Sequence, residues 1–376
     1  MAKRGATDLL KGLEKVPSND DQLLADYVEL RCLISRDGEY ALADLGGARR
    51  RQDDLGVPSS AGLRTALGLL GDGGLLAGAA AADEEVPASE GDQAARERAA
   101  GASPDDELPE DPETRGREWD QKAQLGQVLA LLRRRERVFG ADYPFGLGEG
   151  DVLRLKSSPS DGQRLYLFLL TASCHRNIKS GKDRAKLTSG FERLAVSVLK
   201  RYFGDRLEAY VFGTAAKEGE RYHGGLKKAI RKLAADTGFG LGPKWKKHRK
   251  ELSESGDRGL DVVGWIPFDS SDAADLRFVV FGQCATGKNW REKQFDAAVD
   301  RWGRILHLTG PLTTALLISF SWRGPGGDWH RSLELTTSNI VFDRERIVKL
   351  LSGRPIDGLP NRLTNDLLAV TDADAM

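Results

Sequence analysis

The chain has 376 residues, 40% of them apolar, which is enough for a sizeable core and longer than one average domain. Its 56 Lys and Arg balance 56 Asp and Glu, so overall charge predicts neither a nucleic-acid nor a membrane partner, and any such role must come from local charge. Cys32, Cys174 and Cys284 form no CxxC or Cys/His cluster, which argues against a disulfide framework or a structural zinc site and fits reduced thiols.

The opening MAKRGATDLLKGLEKV lacks the apolar run of a signal peptide, and no uninterrupted apolar stretch of about 18 residues occurs. A soluble cytoplasmic protein with no membrane partner is therefore expected. Residues 1–77 read as a helical N-terminal region: Leu23, Leu24, Tyr27, Leu30 and Ile34 recur at helical spacing behind a cap at Asp20 or Asp21, and GLRTALGLLG continues the pattern. Residues 78–117 shift to Ala, Gly, Pro, Glu and Asp and predict an acidic flexible linker. Residues 118–186 read as a helical and mixed connecting region packed on the core. Within it WDQKAQLGQVLALLRRRERVF puts Leu125, Val128, Leu129 and Leu132 on one helix face, ended by the arginines at 133–135, a basic terminus that suits the helix dipole. DVLRLK predicts a strand, and QRLYLFLLTAS fits either helix or strand.

Residues 187–352 carry the informative order. SGFERLAVSVLKRYFG is a helix with Phe191, Leu194, Ala195, Val198 and Leu199 on one face and Gly204 as its stop. A short apolar piece EAYVFG, a basic region, strands LDVVGWIPF and RFVVFGQCA, a helix over 290–306 and a strand TTALLISFSW follow, with a tail at 353–376. This is an α/β order in which the strands joined by the helix lie parallel.

Two polar residues stand out on apolar strands. Asp261 opens the run 262–266, and Gln283 follows the fully apolar run 278–281, as a strand buried on both faces would show. Hydrolysing a phosphodiester requires neutralised phosphate charge, a nucleophile generated near neutral pH and a stabilised leaving oxyanion, which hard divalent cations on oxygen ligands provide. Asp261, Gln283 and the nearby Lys288 are the candidates for ligands and for a lysine that orients water. Taken alone, an Asp at a strand start is a turn or capping residue. Its functional reading comes from co-occurrence with Gln283 and Lys288 in ordered elements.

The order SGFERLAV…GLDVVGW…RFVVFGQCATGKNW…TALLISFSW resembles the PD-(D/E)XK nuclease superfamily, with its restriction-endonuclease-like fold, in the branch where Gln replaces the second acidic residue. The resemblance covers under half of the chain, and its motifs are short. It implies a restriction-endonuclease-like α/β core, a central mixed sheet flanked by helices, with a mainly helical N-terminal region. It further implies Asp261 as the metal-binding acid, Gln283 in the second acidic place, Glu192 as the helix carboxylate, Mg²⁺ or Mn²⁺ as cofactor and double-stranded DNA as substrate. By analogy it also implies a role in restriction or antiphage defence, with the N-terminal region free to contact a protein partner. One position departs from the pattern: the family lysine would stand at Ala285. Either Lys288 supplies a displaced ammonium on its flexible stem or Ala285 marks lost catalysis, leaving a nucleic-acid-binding module on the same fold.

Two further readings compete for these residues. GQCATGK, 282–288, has the spacing of a phosphate-binding loop of an NTPase, but Asn289 stands where a Mg²⁺-binding Ser or Thr belongs. Under the nuclease reading, Gly282 and Gly287 permit close backbone approach, and Thr286 is placed to contact phosphate. Upstream, Lys227, Lys228, Arg231, Lys232, Lys244, Lys246, Lys247, Arg249 and Lys250 face few acids and suit phosphate-backbone contact, or else form a solvated basic helix balanced by the acidic linker; the acidic stretch 105–113 is also placed to shield the patch as an intramolecular mimic of nucleic acid. His175, His223, His248, His307 and His330 have no HExxH spacing, there is no GxSxG elbow, and Cys284 reads as core.

Overall fold

A computed structural model of the chain describes residues 9–11, 16–17, 20–45, 112–252, 258–267, 277–287, 289–336 and 338–353. GLRTALGLLG, the acidic segment as far as 111, Lys288 and all of the tail beyond Gly353 lie outside these residues. Helix α1 (Asp21–Ile34) begins where expected, with the Asp20 carboxylate accepting the N–H groups of Gln22 and Leu23. Strand β1 (Glu39–Ala41) follows.

Helix α2 (Pro112–Phe139) corrects two expectations: it already occupies the last six positions of the segment read as linker, and it runs past the arginines at 133–135. Those arginines do not cap a helix end. Arg134 bonds Glu345 at 2.8 Å, and Arg135 lies 2.8 Å from Asp26 and 2.9 Å from Glu29, all in buried pairs. Strands β2 (Phe145–Leu147) and β3 (Val152–Leu155) complete a three-stranded antiparallel sheet in the order β1-β3-β2.

QRLYLFLLTAS proves to be helical, in α3 (Asp161–Ser173), started by a reciprocal capping box between Ser160 and Gln163. Its ambiguity has a cause: Leu165 through Ala172 are all buried, so no polar face marks a helical period. Helix α4 (Gly181–Phe203) is 23 residues long, runs unbroken across position 187 and stops at Gly204, whose φ of 96° suits a residue without Cβ.

Next come β4 (Glu208–Val211), α5 (Leu226–Thr237), β5 (Gly240–Leu241), α6 (Trp245–Glu251), β6 (Val262–Ile266) and β7 (Phe278–Ala285). The helix expected over 290–306 is two single turns, α7 (Trp290–Lys293) and α8 (Val299–Trp302), followed by β8 (Leu306–His307). Tertiary bonds explain the break. Asn339 donates to the Gln294 carbonyl at 2.9 Å and the Trp302 indole to the Asp296 carbonyl at 3.2 Å, and these carbonyls would otherwise serve a continuing helix. Strands β9 (Leu312–Ile318) and β10 (Asn339–Phe342) and helix α9 (Arg344–Leu351) close the fold.

The central sheet is mixed and five-stranded, in the order β10-β9-β7-β6-β4. Strands β4, β6 and β7 form an antiparallel meander, while β9 pairs parallel to β7 and β10 parallel to β9. The parallel β7–β9 pairing is the one expected from the sequence. Side chains alternate across β7: Val280 and Cys284 join the apolar cluster of α1, α3, α4 and α9, whereas Val279 and Phe281 join that of α5 and Trp302. Helices therefore cover both faces. The N-terminal helix shares one apolar cluster with the sheet, through residues from Leu24 to Leu317.

Candidate functional site

Asp261 and Gln283 both bond to Cys284 at the end of β7. Val262 is in register with Gly282, yet the Asp261 N–H also donates to the Gly282 carbonyl at 3.0 Å, so two residues oppose one, as in a β-bulge. The doubling turns the Asp261 carboxylate along the strand, where Oδ2 accepts the Cys284 N–H at 2.6 Å in place of the next ladder carbonyl. Asp261 is only 5% exposed.

Gln283 is 2% exposed. Its Nε2 donates to the Cys284 carbonyl at 3.2 Å, which fixes which end of the amide is oxygen, and that Oε1 is buried with no hydrogen-bond partner. An unsatisfied buried acceptor costs roughly 1–3 kcal/mol, so its presence calls for an explanation. A hard cation takes carboxylate and amide oxygens, so the two side chains fit Mg²⁺ or Mn²⁺. Among the described residues no three His, Cys, Asp or Glu side chains gather as a metal cluster.

Ala285, the position of the family lysine, is fully buried against Trp290, Leu316 and Ile318. An ammonium has no place in that contact. A different lysine reaches the site: Lys293, the last residue of α7, puts Nζ 3.4 Å from the same Cys284 carbonyl that Gln283 bonds. The Cys284 peptide thus gathers Asp261 on its N–H and Gln283 and Lys293 on its oxygen. Sequence reasoning missed Lys293 because it assigned the search to Lys288, which lies outside the described residues, and took 290–306 as one helix. Its signal was a lysine at the end of the first turn after β7. Glu192 is half-buried on α4, the helix on the Gly282 face, two turns before Leu199, which would lie 3.5 Å from a Cβ at Gly282.

The GQCATGK reading does not survive the geometry. Residues 282–285 are strand, paired with β6 on one side and β9 on the other, and the Cys284 N–H is taken by Asp261. A phosphate-binding loop needs such N–H groups turned to the ligand. The helix that follows is a single four-residue turn.

The basic region folds as two amphipathic helices. Helix α5 buries Leu226, Ala229, Ile230, Leu233 and Ala234, exposes Lys228, Arg231 and Lys232 and leaves Lys227 half-buried. Helix α6 buries Trp245 and exposes Lys246, Lys247 and Lys250, with Lys244 exposed at its start; the side chain of Arg249 lies outside the described residues. Arg231 stacks 6.0 Å from the Trp245 ring centroid and Lys232 sits 3.5 Å from Asp236, so part of this charge is braced within the fold.

The three cysteines are free. Burial pushes the Cys174 thiol up to about 12 and raises Cys32 as well, which keeps both protonated and poorly nucleophilic. No described helix is long and apolar enough to cross a membrane. No protein-family model matches the chain, and neither a curated protein nor a solved structure matches it.

Proposed function

We propose that the chain is a divalent-metal-dependent nuclease of the PD-(D/E)XK type, with Mg²⁺ or Mn²⁺ as cofactor and double-stranded DNA as substrate. The order of α4, the β4–β6–β7 meander, the α7 and α8 turns and the parallel β9 supports the restriction-endonuclease-like reading of the mixed sheet. The observation that carries the function is the buried, unpartnered Gln283 Oε1 on a side chain that shares Cys284 as a hydrogen-bond partner with the buried Asp261 carboxylate.

Asp261 and Gln283 would hold the cation, which supplies Lewis acidity toward the phosphodiester and promotes deprotonation of water. The chain's own residues set the rest. The Cys284 N–H fixes one Asp261 oxygen, and Gln283 Nε2 anchors the amide so that Oε1 is presented. Lys293 brings a positive charge to the same peptide, suited to orient a water or to offset charge on the phosphate as an O–P bond forms and the P–O bond to the leaving strand breaks. The exposed basic residues of α5 and α6 suit sequence-independent contact with phosphates.

Supercoiled plasmid incubated with purified protein and Mg²⁺ or Mn²⁺ tests the reading. The unaltered chain is expected to nick or linearise it, Asp261→Asn to lose at least 100-fold and Lys293→Met at least 10-fold. No cleavage in either metal, or undiminished cleavage by Asp261→Asn, overturns it. The buried apolar setting of Ala285 favours one alternative, a binding module without catalysis. Metal-independent binding with no cutting would select that reading.

A further inference from the structure

Beside the turn that leaves β7 lies a cleft of about 430 Å³ lined by Lys11, His175, Arg176, Arg184, Ala185 and Thr188. No carboxylate lines it among the described residues. Several exposed or half-buried cations elsewhere pair with acids, as Arg133 does with Asp151, Arg154 with Glu39 and Arg193 with Glu220. Lys11, Arg176 and Arg184 have no such partner among the described residues. Three cations around one cleft with no lining carboxylate make a local positive potential that favours an anion there.

The cleft is built rather than incidental. Arg184 donates to the Ile178 carbonyl at 3.2 Å, and Lys11 is fixed through its backbone N–H to Asn177 at 2.7 Å and its carbonyl to the Asn177 amide at 3.1 Å. The His175 Nδ1–H donates to the Thr286 carbonyl at 3.1 Å. Gly287 closes the approach: a Cβ there would meet His175 at 3.2 Å and Arg176 at 3.7 Å. The wall of the cleft is thus joined to the turn three residues beyond Gln283.

We infer that this cleft is a phosphate-binding pocket that holds a phosphate of the nucleic-acid strand, through Lys11, Arg176 and Arg184, while another phosphate lies at Asp261 and Gln283. This rests on the nuclease reading. Thr286, whose carbonyl the His175 ring bonds, is three residues beyond Gln283, at most about 10 Å along the chain. That is about three nucleotide steps of one strand along a duplex axis. Two sources present this chemistry, an internal diester and a terminal 5′-phosphate, and the pocket accepts either by charge and hydrogen bonding.

The test is binding in EDTA, so that it does not depend on cleavage. Affinity is measured by fluorescence anisotropy for a duplex with a 5′-phosphate and for the same duplex with a 5′-hydroxyl, using the full chain, Arg176→Gln/Arg184→Gln and the control Lys200→Gln/Arg201→Gln, a pair on the far end of α4. The pocket variant is expected to bind at least 10-fold more weakly, and the control less than 3-fold. A loss confined to the phosphorylated duplex assigns the pocket to strand ends, and a loss on both assigns it to internal phosphates. Equal losses in the two variants, no loss in the pocket variant, or no binding of either duplex by the unaltered chain overturns the inference. Plasmid cleavage by the unaltered chain in metal reports separately on the nuclease reading. Circular dichroism of each variant confirms that it is folded.

Discussion

Replacing Gln283 with Met keeps the length of the side chain and removes both polar ends of the amide. The lost donor is one hydrogen bond to the Cys284 carbonyl, at 3.2 Å, worth about 1 kcal/mol net. That carbonyl retains the Lys293 ammonium at 3.4 Å, so the substitution does not orphan it. The lost acceptor, Oε1, is buried without a partner, and removing it relieves a penalty of roughly 1–3 kcal/mol. The balance makes Gln283→Met more stable than the unaltered chain by about 0–2 kcal/mol, opposite in sign to most substitutions at buried positions. Urea unfolding in EDTA measures this as a higher midpoint at unchanged slope. Adding Mg²⁺ or Mn²⁺ supplies the second half of the argument. A ligand at 100 times its Kd stabilises the native state by about 2.7 kcal/mol, and only the protein that keeps Oε1 should show the full gain. A variant that unfolds more easily by over 1 kcal/mol in EDTA, or that gains as much from metal as the unaltered chain, refutes the reasoning.

Two other substitutions probe the surroundings. Ala285→Lys restores the residue of the family pattern but places an ammonium against Trp290, Leu316 and Ile318; a loss of at least about 3 kcal/mol in urea unfolding is expected, and a neutral effect would mean that the position opens to solvent. Burial alone would raise the Asp26 carboxyl, but the Arg344 and Arg135 guanidinium groups outweigh it and hold it below the usual carboxylate value. Its contribution to stability is therefore present above the unfolded-state pKa of about 3.9 and lost as pH falls through the lower folded value. Asp26→Asn should cost about 3 kcal/mol or more at pH 7 and show a shallower further loss between pH 5 and 3. Parallel unfolding midpoints across that range would contradict this.

The sequence carried the strand-borne part of the candidate site and not the part built by distant contacts. Asp261 and Gln283 were legible because each interrupts an apolar strand, and the β7 and β9 pairing followed from the order of elements. Lys293 was hidden by a helix break whose cause, Asn339 bonded to the Gln294 carbonyl, is 45 residues away in the chain. Arg134 and Arg135 looked like a basic helix terminus because their partners Glu345, Asp26 and Glu29 are more than 100 residues distant, and no local pattern announces such pairs. The cleft cations escaped for the same reason: Lys11 belongs to the N-terminal segment and joins Arg176 and Arg184 through backbone pairing of residues 9–11 with 177–179, far away in the chain.

The buried ionic cluster bears on what the N-terminal region does. Arg344, at the start of α9, lies 2.7 Å from Asp26 and 3.5 Å from Glu29 of α1, and Glu29 also accepts the hydroxyls of Tyr143 at 2.7 Å and Tyr166 at 2.9 Å. The same guanidinium donates through Nε to the Ser319 carbonyl at 2.9 Å, and the Ser319 N–H reaches the Ala285 carbonyl at 3.4 Å. Helix α1 is thus connected by three consecutive interactions to the end of β7, two residues from Gln283. Stripping α1 away would leave Arg135 and Arg344 as buried cations without their acids, a loss of about 3–5 kcal/mol for each broken pair. Such a cost binds α1 into the core that supports the site. A partner that acts on this protein through its N-terminal region would therefore have to work through residues other than Asp26 and Glu29, or shift Arg344 and with it the end of β7 that carries Gln283.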